Sequence, residues 1–166
     1  RRRLLYQTRT AFDQHFRQFE STIALYSTLR FRLPLPPLRG WTISPDFACI
    51  LAQEIMGGQR KSVLELGSGV STLVCGYALE AIGGGNVLAL EHDEKWCRAT
   101  TDHVQAHRLS NVAAVIYAPL KNVVIGDETY PWYDYSRLPG GQFDMLIVDG
   151  PPGRLHPGAR YPALPI

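Results

Sequence analysis

Hydrophobic and polar positions in the first thirty residues repeat with the period of an amphipathic helix. From about residue 10 to residue 30, the large apolar side chains follow a 4-3-4-3 spacing, which places them on one stripe of a helix. We expect this stripe to pack on its own domain, and the alternative is a dimer or coiled-coil face. The stripe consists of Phe12, Phe16, Phe19, Ile23 and Tyr26.

A proline-rich segment follows the first helix and separates it from the rest of the chain. The stretch "RLPLPPLRG", Arg32 to Gly40, reads as an extended connector, because proline fixes φ and lacks a backbone donor. A second helix then starts with Ser44 as a candidate N-cap and Pro45 in its first turn. We therefore divide the chain into an N-terminal helix with its connector, 1–40, and a main domain, 41–166.

From residue 62 onward, short apolar runs alternate with helical segments. We predict strands over 62–66, 87–91, 112–117 and 143–148, and crossover helices over 72–82 and 93–107. This alternation is typical of right-handed βαβ units, and it predicts an α/β fold with a mostly parallel sheet between two helical layers, as in Rossmann-like proteins. We expect residues 118–142 to be irregular and aromatic.

Composition narrows the class of protein but not its chemistry. The 166 residues are 45% hydrophobic and 19% charged, as in a globular protein, and the net charge of +2 gives no argument for nucleic acid or membrane partners. The three cysteines, Cys49, Cys75 and Cys97, form neither a CxxC pair nor a zinc spacing. We expect them to be reduced core thiols of a cytoplasmic protein.

The stretch "SVLELGSGVST", Ser62 to Thr72, places an acid and two glycines at the end of the first predicted strand. In an open parallel sheet, ligands bind beyond the carboxyl ends of the strands. Gly67 and Gly69 allow a tight turn, whereas Thr72 occupies the position of the third glycine of a dinucleotide motif. A buried carboxylate at Glu65 needs a cationic partner, which a ligand would supply. Alternatively, Glu65 only bonds to the loop.

A second acid ends the next predicted strand. Glu91 in "NVLALEHDEKW" follows Gly69 by about 20 residues, which is the spacing of an acid that binds both ribose hydroxyls of a nucleotide ligand. His92 comes next, and Asp93 is better explained as the N-cap of the following helix. The alternative for Glu91 is a simple loop charge.

Three motifs together resemble the class I S-adenosylmethionine-dependent methyltransferases. "VLELGSGVST" is similar to their first motif, E/D-x-G-x-G-x-G, with Ser71 in place of the last glycine. "LALEHDEKW" resembles their second motif, and "FDMLIVDGPPG" resembles their fourth-strand motif, with Asp149 at its tip. The resemblance implies S-adenosylmethionine as cofactor, with the stretch from Ala118 to Leu120 near its adenine. The cofactor residues that it implies are Glu65, Gly67, Ser68, Gly69, Ser71, Thr72, Glu91, His92, Pro119 and Asp149.

Candidates for catalysis follow the fourth predicted strand. We expect Asp149 to line the cleft near the methyl donor, with capping of its own loop as the alternative. In related O-methyltransferases an acid at this place can hold a divalent metal, but the chain shows no convincing further ligands, so we predict no metal. His156 is the candidate general base, or else a surface-loop histidine. A cluster of aromatic residues either walls an acceptor pocket or covers the sheet: Tyr130, Trp132, Tyr133 and Tyr135.

The resemblance also raises a question about completeness. The family's sheet has seven strands, and this chain supplies four, so it is either a fragment or a shortened domain that pairs its open edge with another chain, for example as a homodimer. We predict a methyltransferase that methylates oxygen of a small molecule or sugar and binds neither nucleic acid nor membrane. The alternatives are an NAD-type oxidoreductase and a non-catalytic cofactor-binding subunit.

Overall fold

A computed structural model describes residues 2–164, and the side chains of 2–9 and of residue 11 lie outside that description. The chain contains four α-helices, six β-strands and three short 3-10 turns among these residues, and the 3-10 turns lie at Tyr135–Arg137, Gly153–Leu155 and Tyr161–Ala163. The helices are α1 (Arg2–Thr28), α2 (Pro45–Gly58), α3 (Val70–Ala81) and α4 (Glu94–Ala106). The strands are β1 (Ser62–Leu66), β2 (Asn86–Glu91), β3 (Ala113–Tyr117), β4 (Leu120–Ile125), β5 (Glu128–Tyr133) and β6 (Met145–Val148).

Four strands form a parallel sheet in the order β3-β2-β1-β6, so the predicted α/β architecture is confirmed. β1 lies in the interior of the sheet, and Leu66 at its end pairs with Leu90 of β2 and Val148 of β6. Because all four strands are parallel, the loops after β1, β2 and β6 lie together at the carboxyl end of the sheet. The acids of the sequence motifs therefore lie at the same end of the sheet.

The two faces of the sheet bury different sets of side chains, as the period-2 alternation of a strand requires. Val63 packs into the cluster beneath α2 and α3, whereas Leu64 and Leu66 pack into the cluster beneath the β4–β5 hairpin. Glu65 alternates with Leu64 and Leu66, so its side chain points toward the helix side. This orientation places its carboxylate behind the first turn of α3.

The prediction that residues 118–142 are irregular is wrong for 120–133, which form a hairpin, whereas 138–142 have no regular structure. β4 and β5 pair in antiparallel register from Leu120 with Tyr133 to Ile125 with Glu128, around a turn in which Gly126 has φ +62°. The Gly-Asp turn is a hairpin signal, but Pro131 inside β5 masked it, since proline argues against an interior strand. Here the proline is tolerated because the sheet has only two strands and Pro131 lies on an edge.

The helix α1 packs on its own domain as expected, but not mainly through the apolar stripe on which that expectation rested. The five side chains of the stripe are 45–69% exposed, and the helix starts at Arg2 rather than near residue 10. The domain is contacted by the opposite face, through Leu25 and the Ser21 carbonyl, which lies 3.1 Å from Cys49 Sγ. The helix thus uses smaller side chains for its intramolecular contact with α2.

No helix among residues 2–164 combines the length and the hydropathy of a transmembrane span.

Candidate active site

A cavity of about 340 Å³ opens at the carboxyl ends of β1, β2 and β6. Its floor and one wall come from the loops after these strands, and the opposite wall comes from α4 and from the connector between α1 and α2. The residues of the sequence motifs that line it are Gly67, Ser68, Gly69, Ser71, Glu91, His92 and Asp149. The structure therefore brings most of the predicted site residues to one cavity.

The loop after β1 requires glycine at its first position. Gly67 has φ +104°, a conformation that side chains disfavour, and its N–H donates to the Leu90 carbonyl at 2.9 Å. A Cβ atom on Gly67 would lie 3.3 Å from the backbone nitrogen of Gly150. The loops after β1 and β6 are thus packed backbone against backbone beside the cavity.

Glu65 lies beneath this loop and is completely buried. Its Oε2 accepts a hydrogen bond from Thr72 Oγ1 at 2.6 Å, and Thr72 Oγ1 in turn accepts from the Gly69 N–H at 3.1 Å. Oε1 has no hydrogen-bond partner among the described residues. Burial, together with the negative charges of Asp149 and Glu91, raises the pKa of Glu65 to about 7. Glu65 therefore supports the loop with one oxygen and keeps the other unsatisfied.

Glu91 is 5% exposed and is held from several sides. Its Oε2 accepts from the Ser68 N–H at 3.1 Å, and its Oε1 accepts from the Asp93 N–H at 3.0 Å and lies 3.0 Å from His92 Nδ1. Burial alone would raise the pKa of Glu91, but His92 and these backbone donors lower it below its usual value. Glu91 is therefore an anion of fixed orientation at the cavity wall.

Asp93 is the N-cap of α4, as the sequence predicts. Its Oδ1 accepts from the backbone N–H groups of Lys95 at 2.9 Å and Trp96 at 3.2 Å. The prediction that Asp93 serves the helix is confirmed.

Tyr133 reaches the same cavity from the end of β5. Its side chain is buried, and its hydroxyl has no hydrogen-bond partner among the described residues. Burial, followed by the nearby charge of Glu91, raises the pKa of this phenol well above its usual value. A side chain at Gly150 would collide with the hydroxyl. The aromatic cluster thus divides: Tyr133 lines the cavity, while Trp132 is buried in the hydrophobic cluster beneath the hairpin.

Asp149 stands at the tip of β6, where the side chain is 42% exposed. Arg160 donates to its backbone carbonyl and lies 3.3 Å from its Oδ1. Partial burial raises the pKa of Asp149, and the charge of Arg160 opposes that shift. No group of three histidine, cysteine or acidic side chains within residues 2–164 is arranged to hold a metal.

Four predicted site residues do not line the cavity. Glu65 and Thr72 lie behind the loop wall, as described above. Pro119 lies at the base of the hairpin, where its carbonyl accepts from the Asp134 N–H at 3.2 Å. His156 packs its ring against Tyr130, with centroids 4.6 Å apart, and its Nδ1 accepts from the Gly158 N–H. The structure therefore does not bring Pro119 or His156 into contact with the cavity.

Sequence reasoning missed the opposite wall. Trp96, Thr100 and His103 line the cavity from α4 at positions i, i+4 and i+7, so one face of this helix points at the site. With Asp93 as the N-cap, the sequence indicates that these three side chains share one face of α4. The connector residues Pro36, Trp41, Thr42 and Ile43 also line the cavity. No local sequence pattern predicts that these residues line the cavity, because the path of the connector depends on contacts with helices that are distant in sequence.

Comparisons with known proteins agree with this geometry. A family model described as a methyltransferase domain matches residues 64–157. The SAH-bound methyltransferase PaMTH1 of Podospora anserina shares the fold with a TM-score of 0.53 at 17% identity, over 80% of this chain and 49% of that one. A cofactor-bound protein from MTB gives 0.50 at 19% identity, over 79% and 50%.

A protein from Pyrococcus horikoshii proposed to be an RNA methyltransferase has a TM-score of 0.52 at 22% identity, over 89% of this chain and 65% of that one. No curated protein matches. The chain thus spans about half the length of the first two of these solved structures.

Proposed function

Because the chain belongs to the methyltransferase-domain family, whose model covers residues 64–157, we propose that it binds S-adenosylmethionine in the cavity and methylates oxygen of a small molecule or sugar. The family match favours this proposal over an NAD-type oxidoreductase. The position of Thr72, where a dinucleotide motif needs its third glycine, supports the same choice.

The cavity residues fit such a cofactor. The hydroxyl of Tyr133 is a buried polar atom of the cavity lining without a hydrogen-bond partner among the described residues, and such an atom is costly unless a ligand or water partners it. The Gly67–Gly69 loop lets a ligand approach the backbone closely. We infer that Gly67, Ser68, Gly69 and Ser71 surround the methionine end of the cofactor, and that Glu65 supports this loop from behind through its hydrogen bond with Thr72.

The observation that carries the proposal is the placement of Glu91. A buried carboxylate with a lowered pKa, at the tip of β2 and beside a glycine loop, is suited to accept hydrogen bonds from two adjacent hydroxyls of a ribose. We propose that the ribose takes this place and that the backbone N–H groups of Ser68 and Asp93 orient the carboxylate. Pro119 is assigned no contact, because it lies outside the cavity.

S-adenosylmethionine would supply an electrophilic methyl group on a sulfonium. The chain's own work is then to align the acceptor and to accept its proton. We propose Asp149 for the proton, since it lines the cavity and Arg160 orients it. A proton acceptor at this place supports a hydroxyl acceptor. His156 is less suited to the role of base, because it lies off the cavity.

The test is calorimetric titration of the full chain with S-adenosylhomocysteine, S-adenosylmethionine and NAD⁺. We expect the first two to bind and NAD⁺ not to bind. Glu91→Ala should lower the affinity for S-adenosylhomocysteine by about tenfold or more, since it removes charge-assisted hydrogen bonds. Glu94→Ala is the matched control, because this exposed acid pairs with Arg98 outside the cavity. Unchanged affinity in Glu91→Ala would refute the proposed site.

A turnover assay distinguishes a methyltransferase from a non-catalytic cofactor-binding subunit. We expect the chain to convert S-adenosylmethionine to S-adenosylhomocysteine in the presence of an acceptor, measured by mass spectrometry. Binding without turnover across a broad set of hydroxylated acceptors would favour the binding subunit.

We also propose that the chain forms a homodimer. The support is the open edge of β6, where Leu146 is 41% exposed, and the exposed stripe of α1. Light scattering should give twice the monomer mass, and Leu146→Lys should reduce it. A monomer at all concentrations would exclude this assembly.

A further inference from the structure

Arg154 lines the cavity, and no acidic side chain among the described residues pairs with it. Within residues 2–164, the only contact of Arg154 with a charged or aromatic group is the ring of Trp41, whose centroid lies 5.4 Å from the guanidinium carbon. The nearby Arg160 differs, because it is paired with Asp149. Arg154 therefore offers its positive charge to a ligand.

The contact with Trp41 leaves the donors of Arg154 available. A guanidinium over an indole face uses its π surface, while its N–H groups point outward in the plane. That fork matches the two oxygens of a carboxylate. Trp41 thus holds the arginine without consuming its hydrogen bonds.

Two indole rings border the same cavity. Trp41 is 80% exposed and Trp96 is 55% exposed, although both line the site. Exposed indole faces can stack against planar rings. The mouth therefore combines aromatic surface with an unpaired cation.

The contacts proposed for the cofactor use the side of the cavity formed by the loops after β1 and β2. Glu91 is assigned to the ribose and the glycine loop to the methionine end, and both belong to the loops after β2 and β1. Arg154 comes from the loop after β6, five residues beyond Asp149, and Trp41 comes from the connector. These two side chains are left for the acceptor.

We propose that Trp41 and Arg154 form an acceptor subsite that selects planar aromatic molecules bearing a carboxylate. The inference rests on the proposed function and names its substrate class. Arg154 binds the carboxylate, the aromatic ring stacks against Trp41, and the hydroxyl of the acceptor is presented toward Asp149.

The test uses the full chain saturated with S-adenosylhomocysteine and two matched probe pairs: 4-hydroxybenzoate with 4-hydroxybenzamide, and 4-hydroxycinnamate with its amide. We expect each acid to bind at least about fivefold more tightly than its neutral amide, as charge-assisted pairing requires. Arg154→Ala should abolish that preference without weakening the amides. Trp41→Ala should weaken acids and amides alike, and Arg98→Ala, on an exposed face of α4, should change neither.

The outcomes separate this inference from the proposed function. If the wild-type chain does not bind S-adenosylhomocysteine, the proposed function fails and the subsite fails with it. If the cofactor product binds but acids and amides bind alike, or neither binds, only the acceptor inference is overturned. If Arg154→Ala weakens S-adenosylhomocysteine itself, the arginine serves the cofactor's own carboxylate, and the inference is overturned as well.

Discussion

The two sides of the cavity are built in different ways. The strand-tip wall, made of Glu65, the loop 67–72 and Glu91, is buried and internally bonded, with its acids 0% and 5% exposed. The mouth, made of Trp41, Asp149 and Arg154, is exposed and holds few internal bonds. The wall is therefore part of the folded core, whereas the mouth can change without disturbing the fold. A conserved ligand suits the first construction and a variable one suits the second.

The largest expected effect breaks the strand-tip wall at Gly67. Gly67→Ala forces a side chain into φ +104° and against the Gly150 backbone, so we expect a loss of about 3 kcal/mol of unfolding free energy. S-adenosylhomocysteine affinity should fall at least about tenfold. Gly153→Ala is the matched control in the mouth, since no atom lies within 4 Å of its added Cβ. Denaturant unfolding and calorimetry measure both, and equal effects at the two glycines would refute the contrast.

Sequence reasoning reached the strand-tip wall because its signals are local. A strand pattern followed by Glu65, Gly67 and Gly69 specifies a turn at a strand end, and the same holds for Glu91. In the mouth, the same kind of local pattern predicted Asp149, but the position of the connector with Trp41 depends on distant contacts. Arg32 anchors the connector by hydrogen bonds to Glu80 at 2.8 Å and to the His107 carbonyl at 2.9 Å, across 48 and 75 residues. No window of sequence contains that information, so Trp41 was not found.

The next effect concerns the buried acid of the wall. A pKa of about 7 in the folded state, against 4.5 for an ordinary glutamate, means that the folded chain binds the proton more tightly than the unfolded chain. Protonation thus stabilises the fold fully below pH 4.5, and this contribution is lost as pH rises through 7. Glu65→Gln removes the dependence, so the variant should exceed the wild type in stability by on the order of 2 kcal/mol at pH 8.

At pH 4 the Glu65→Gln variant and the wild type should be nearly equal in stability, which urea unfolding at pH 4 and pH 8 can establish. The variant should bind S-adenosylhomocysteine within about twofold of the wild type, because residue 65 lies behind the loop and an amide can keep the hydrogen bond with Thr72. A variant that is destabilised at pH 8, or that binds the ligand much more weakly, would contradict the assigned role of Glu65.

A smaller effect is expected at Tyr77, which supports the connector and thereby the mouth of the cavity. The Tyr77 hydroxyl accepts from the backbone N–H of Arg32 at 3.0 Å and shares a hydrogen bond with His107 Nδ1 at 2.8 Å, so it fixes the start of the connector. Tyr77→Phe leaves both groups unsatisfied and should cost about 1.5 kcal/mol of unfolding free energy. Because the connector carries Trp41, acceptor binding should weaken, while S-adenosylhomocysteine affinity stays within about twofold. An equal loss of both affinities would show that the two sides are not separable.

The smallest effect is expected at His156, which the sequence offered as a general base. The imidazole packs on Tyr130 and its Nδ1 is occupied by the Gly158 N–H, so neither ring nitrogen lies on the cavity. His156→Ala should therefore change kcat by less than about threefold, whereas Asp149→Asn should lower it by about a hundredfold, as loss of a proton acceptor does. The pH profile distinguishes a loop role from a chemical one, because only loss of the base removes its ionisation from kcat. A large fall in kcat for His156→Ala with an unchanged KM would contradict the loop role assigned to this histidine.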